Sequence, residues 1–183
     1  MTTAITKQSR SRKAQTICTI LAIVSAVALP QLIHTLGAAA GIHSLLGEIL
    51  LPMHLPIILA GLLVGPYAAG AAGILSPLIS FALTGMPSAA MLPFMTIELA
   101  AYGICAGMLK NTKIPNVSKV LIVQLTGRIV RAAAILIGFY GIGTAVKPAV
   151  ILSSVKIGIA GILLQLILIP LVLYRLKNAD ADA

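Results

Sequence analysis

Met91-Leu-Pro-Phe-Met-Thr-Ile-Glu-Leu-Ala-Ala-Tyr-Gly-Ile-Cys-Ala-Gly-Met-Leu109 contains a single charge, Glu98. A helix rises about 1.5 Å per residue, and roughly 20 apolar residues cross the hydrocarbon core of a bilayer, so this stretch reads as a transmembrane helix. An ionisable group at that depth is costly and faces a cavity, a partner or a substrate. A later apolar stretch repeats the anomaly with the opposite sign. There Arg128 and Arg131 stand at i, i+3 spacing, on one face of a helix.

The rest of the chain belongs to the same class. Of its 183 residues 59% are apolar and 9% charged, against about half and a quarter in a soluble domain. The composition is that of an all-α integral membrane protein, a compact bundle of six transmembrane helices in one domain over residues 1–183, with no room for a soluble catalytic domain. The net charge of +9 does not point to nucleic acid. Lys7, Arg10, Arg12 and Lys13 form a basic tail over residues 1–13. Lys110, Lys113 and Lys119 fill a loop over 110–119, and Arg175 and Lys177 close the last helix, next to a tail over 176–183. Such clusters set topology and touch anionic lipid, and by the positive-inside rule they place both termini in the cytoplasm. Cys18 and Cys105 lie in apolar segments and read as packing residues.

Six spans are predicted, over residues 14–36, 50–64, 67–83, 92–109, 120–142 and 149–174. The second starts on Leu51-Pro-Met-His-Leu-Pro56, where two prolines break the backbone ladder and leave carbonyls in need of partners. Gly65-Pro66 makes a tight turn that folds spans two and three into a hairpin, and Pro77 is expected to kink the third. Residues 37–49 then form an extracellular loop, with a second turn at 84–91.

Chemistry concentrates in few places. Glu98 and Tyr102 are four apart on one helix face, and Arg128 and Arg131 belong to the next span. Either Glu98 and an arginine lock two spans together, or an arginine binds an anionic ligand while Glu98 accepts a hydroxyl or amide hydrogen. One carboxylate cannot neutralise two guanidiniums, so at least one has another partner, or snorkels toward the cytoplasmic end of its span. His54, between the two prolines, either closes a pocket on a ligand or is satisfied by freed carbonyls. Glu48 reads as a solvated or gating charge. His34 and His43 lie apart without thiolate or carboxylate companions, which gives no metal site. The chain has no nucleophile elbow, Walker loop, paired-carboxylate or zinc-protease motif. We expect no enzyme and no cofactor in the chain itself. Ala22 and Ala26 form a small-x-x-x-small stripe that lets another helix approach.

The six spans, the Ala22–Ala26 pattern, Leu51–Pro56 and Glu98-Leu-Ala-Ala-Tyr-Gly103 together resemble the S component of an energy-coupling factor (ECF) vitamin transporter over essentially the whole chain. The Pro-Met-His-x-Pro run, with Gly85-Met-Pro87, is similar to the pantothenate-type branch. The resemblance implies a multi-pass protein of the bacterial cytoplasmic membrane that binds a vitamin at its extracellular half. A gate between spans one and two would close over the site. A membrane T subunit and two cytoplasmic ATPases would supply the energy, so that ATP is used by the partners. It further implies that Ala22 and Ala26 face the T subunit. For pantothenate, Arg128 or Arg131 would bind the carboxylate, and Glu98, His54 or Gln124 the hydroxyls and amide. Met53 and Tyr102 complete the expected binding set. Cobalamin is the alternative ligand. From a different class, the alternative is a self-contained ion-coupled carrier with Glu98 as its proton site.

Overall fold

The computed structural model of the protein describes residues 12–41 and 45–179. Seven α-helices run in the order α1 (Arg12–Ala39), α2 (Leu45–Leu50), α3 (His54–Leu63), α4 (Pro66–Thr84), α5 (Leu92–Leu109), α6 (Asn116–Ile137) and α7 (Ala149–Ala179), and a short π-helix, Gly138–Ile142, extends α6. Among the described residues there is no strand. Six stretches are long and apolar enough to cross a membrane, α2 and α3 together making the second. The all-helical reading therefore holds for the described residues, and the six apolar stretches are compatible with six spans.

The elements begin and end where backbone chemistry requires. Pro56 falls in the first turn of α3, Pro66 opens α4 and Pro93 lies in the first turn of α5. In a first turn the missing N–H costs no intrahelical bond. At the other end of α4, Gly85 adopts φ 72° and donates its N–H to Phe81 O, the left-handed cap that glycine supplies without steric cost. Helix α4 also runs continuously through the interior Pro77.

Three boundaries differ from the sequence expectation. The second span is two helices, because Leu51 takes φ 51° and Pro52 follows it. Residues 45–49, predicted as part of a loop, belong to helix α2 (Leu45–Leu50). The fifth span begins at Asn116, directly after Pro115 in an extended conformation (ψ 147°), so Lys119 belongs to helix α6 and not to a loop. Lys119 is buried, with its Nζ donating to Lys110 O at 3.1 Å, while Lys110 Nζ donates to Val64 O at 3.1 Å. Both ammonium groups thus sit at helix C-termini, where orphan carbonyls and the dipole favour a cation. Finally, α7 continues to Ala179.

Helix α5 lies at the centre, packed on α3, α4 and α6, and its pairing with α4 is the most extensive. The reason is small residues. A Cβ at Gly73 would run into the Leu99 backbone, one at Gly103 into Ala69, and one at Gly107 into Pro66. Backbones approach this closely only where side chains are absent. Ala22 and Ala26 join the same core at 7% and 0% exposure. They face inward, on the side of α1 that packs against α3 and α4, and the expectation that they face a partner is corrected. An Ala-x-x-x-Ala stripe looks identical in sequence whether its neighbour is internal or external.

Candidate ligand site

A cavity of about 470 Å³ opens at one end of the bundle. Its walls come from the second half of α1 (Pro30, His34), the α2–α3 junction (Gly47 to His54), the turn before α5, the start of α5, the second half of α6 and the start of α7. The lysine-capped helix ends lie at the opposite end of the bundle. In volume the cavity falls in the range for a small organic ligand, roughly 300–1,000 Å³.

Glu98 is fully buried on α5 and lines this cavity. Its Oε2 accepts a bond from Arg131 Nη1 at 3.1 Å, and its Oε1 accepts the Tyr102 hydroxyl at 3.0 Å. The i, i+4 spacing on α5 aligns Tyr102 with Glu98. The Tyr102 ring packs against Gly127 on α6 so closely that a Cβ there would collide with it. The glycine preceding Arg128 therefore sets how closely α6 approaches α5, and with it where the arginines emerge.

Arg128 is the exception in this cluster. Its Nη1 stands 3.6 Å from Glu98 Oε1, close enough for electrostatic attraction but beyond hydrogen-bond length. All three guanidinium nitrogens are buried and none has a hydrogen-bond partner among the described residues. His54 resembles it. Nearly buried, with its ring edge-on to Tyr102 at 5.1 Å between centroids, it has no hydrogen bond at either ring nitrogen, and its Nε2 lies 3.8 Å from Glu98 Oε1. Native interiors leave few polar atoms unpaired, and here they line a cavity. One carboxylate facing two guanidiniums leaves a positive charge unbalanced in this cluster.

Around this charged floor the walls are soft and apolar: Met53, Met86, Met91, Met95, Pro52 and Pro87. Ser80, Ser88, Ser153 and Ser154 add hydroxyls, and Gln31, His34 and Glu48 further polar groups. Glu48 is on the exposed side of α2. The arrangement can bind an anion at Arg128, hydrogen-bond hydroxyls or amides near His54, and bury an apolar midsection.

Of the residues expected from sequence, Met53, His54, Glu98, Arg128 and Arg131 meet at this cavity. Tyr102 and Gln124 do not line it. Tyr102 is fully buried behind Glu98 and orients that carboxylate. Gln124 turns away and donates to Gln165 Oε1 on α7, which corrects its assignment as a ligand contact. Arg128 also lies deeper than expected. With the helix starting at Asn116 it stands about 18 Å into the span, and it faces the cavity instead of snorkelling. His43 lies outside the described residues. The residue that sequence reasoning missed is Gln165, the only side-chain amide in the apolar run of span six. That isolation was a legible signal.

The chain matches no known protein-family model, no curated protein and no solved structure.

Proposed function

We propose that the protein is the substrate-binding S component of an ECF-type importer, capturing a small water-soluble vitamin that carries one carboxylate, with pantothenate the best candidate. Helix α2 and the following turn cover the site, and a T subunit with two ATPases powers inward delivery. The observation that carries this reading is Arg128: a buried guanidinium at a cavity wall, without a hydrogen-bond partner, beside a glutamate already held by Arg131. A carboxylate offers the paired acceptors that its planar fork fits. Pantothenate's hydroxyls and amide match His54 and the serine hydroxyls, and its gem-dimethyl group the methionine wall.

Two alternatives fit less well. The cavity volume favours a molecule far smaller than a corrinoid, which argues against cobalamin. A proton carrier would need Glu98 to release its partners in each cycle, whereas Arg131 and Tyr102 hold both its oxygens.

Calorimetry with pantothenate and with panthenol, its neutral alcohol, tests the reading. Arg128→Gln should weaken pantothenate by about 10- to 100-fold, the range for a charged hydrogen bond, and leave panthenol nearly unchanged. Equal loss for both ligands, or none for pantothenate, removes the carboxylate assignment. Co-purification of two ATPases and a membrane subunit from the native host tests the assembly.

A further inference from the structure

The segment over residues 49–51 is held by a chain of contacts that begins behind the cavity wall, on α7. Gly158, Gly161 and Gln165 follow i, i+3, i+7 spacing and so share one face of α7. A Cβ at Gly161 would strike the carbonyl of Ile49 and the backbone of Leu50, and one at Gly158 would press on the Leu51 side chain and the Arg128 guanidinium. Residues 49–51 therefore lie directly on this glycine face. At its end Gln165, 1% exposed, donates from Nε2 to Leu51 O at 3.1 Å, while its Oε1 accepts from Gln124 Nε2 on α6.

The carbonyl that Gln165 holds belongs to the one non-glycine residue with positive φ among the described residues, Leu51 at 51°. A leucine adopts that backbone conformation only when its surroundings impose it. Helix α2 ends at Leu50 and α3 begins at His54, so the reversal at Leu51 sets the direction of both. It fixes where Leu51, Pro52, Met53 and His54 stand on the cavity wall.

We propose that Gln165, oriented by Gln124, is a positioning residue for ligand retention. It fastens the strained Leu51 carbonyl to α7 and thereby holds residues 45–53 over the cavity. Gln124 acts only through Gln165. The ligand escapes when this latch opens, so the latch sets the dissociation rate more than the association rate. The proposal rests on the ligand-binding reading above for its kinetic consequence, and on geometry alone for its structural one.

The test uses the full-length protein in nanodiscs with Gln165→Met and Gln124→Met, which keep side-chain length but remove the bonds, and their double variant. Gln165→Asn, one methylene shorter and still polar, serves if Gln165→Met does not fold. Hydrogen exchange on ligand-free protein should accelerate at 45–53 in Gln165→Met and stay unchanged along α4 and α5. The pantothenate dissociation rate should rise about fivefold, the effect of one lost hydrogen bond, with a smaller change in association rate. The double variant should match Gln165→Met alone. Unchanged exchange at 45–53 in a folded variant overturns the latch. Faster exchange without faster dissociation overturns its control of retention, and additive effects overturn the order Gln124 to Gln165 to Leu51. Should wild-type protein bind no pantothenate, the substrate reading fails and the exchange measurement decides the latch by itself.

Discussion

At the residue scale, two arginines three positions apart have separate tasks. Arg131 is bonded to Glu98 at 3.1 Å, whereas Arg128 approaches the same carboxylate only to 3.6 Å. Removing one partner of a buried ion pair costs about 3–5 kcal/mol, because the other charge is left uncompensated. Arg131→Gln should therefore lower the ligand-free melting temperature. Arg128→Gln, which removes the surplus charge, should leave that temperature unchanged or higher while lowering affinity for a carboxylate ligand. Thermal unfolding followed by tryptophan-free methods, such as light scattering of the detergent-solubilised protein, separates the two. Equal destabilisation by both would mean that the arginines share Glu98. The four residues Glu98, Tyr102, Arg128 and Arg131 were identifiable as a constellation from spacing alone. Which arginine was spoken for was not, since i, i+3 neighbours on a helix are indistinguishable until the facing helix is placed.

At the scale of the elements, the glycines of α4 and α5 determine how tightly the central pair packs. The Cβ of Gly103→Ala would meet the Ala69 backbone, which cannot rotate away as a flexible side chain can. Overpacking of this kind costs about 1–3 kcal/mol, so Gly103→Ala should lower the unfolding midpoint in a denaturing-detergent titration. Gly141→Ala, whose added Cβ meets nothing within 4 Å, should not. A result in which both behave alike would remove the claim that backbone contact sets this pair. The sequence reading located five of the six spans to within a few residues, because apolar length is a local property. It misjudged the second span and the start of the fifth. Helix α2 is only six residues long and is held by contacts to α7 and α1, which no local pattern announces. Lys119 looked like a loop residue because a charge usually marks water; here it caps α5.

At the scale of the whole molecule, the cavity and the lysine-capped ends occupy opposite poles of the bundle. The proposed function requires the basic pole in the cytoplasm and the cavity open to the outside. In a variant with Cys18 and Cys105 replaced by serine, Lys113→Cys should react with an impermeant maleimide only from the cytoplasmic side, and Ser88→Cys only from outside. The reverse pattern would invert the topology and sink the import reading. The inward turn of Ala22 and Ala26 also means that the outer surface of α1, with Ile17, Leu21 and Val24 exposed, is what α1 offers to lipid or to another subunit.

The amino-acid sequence by itself determined that this chain is helical, with six stretches long and apolar enough to span a membrane, and that its few buried charges mark the place to look. Those properties follow from solvation, since apolar runs of bilayer length and ions within them are legible one segment at a time. Only the tertiary structure decided which charges pair, which alanines face inward, and that Gln124 serves Gln165 and not a ligand. Each of these depends on what stands across from a side chain, and helices adjacent in space are free to be far apart in the chain. The Glu98 segment announced a polar site within an apolar helix; the placement of α6 against it left Arg128 with a charge to share.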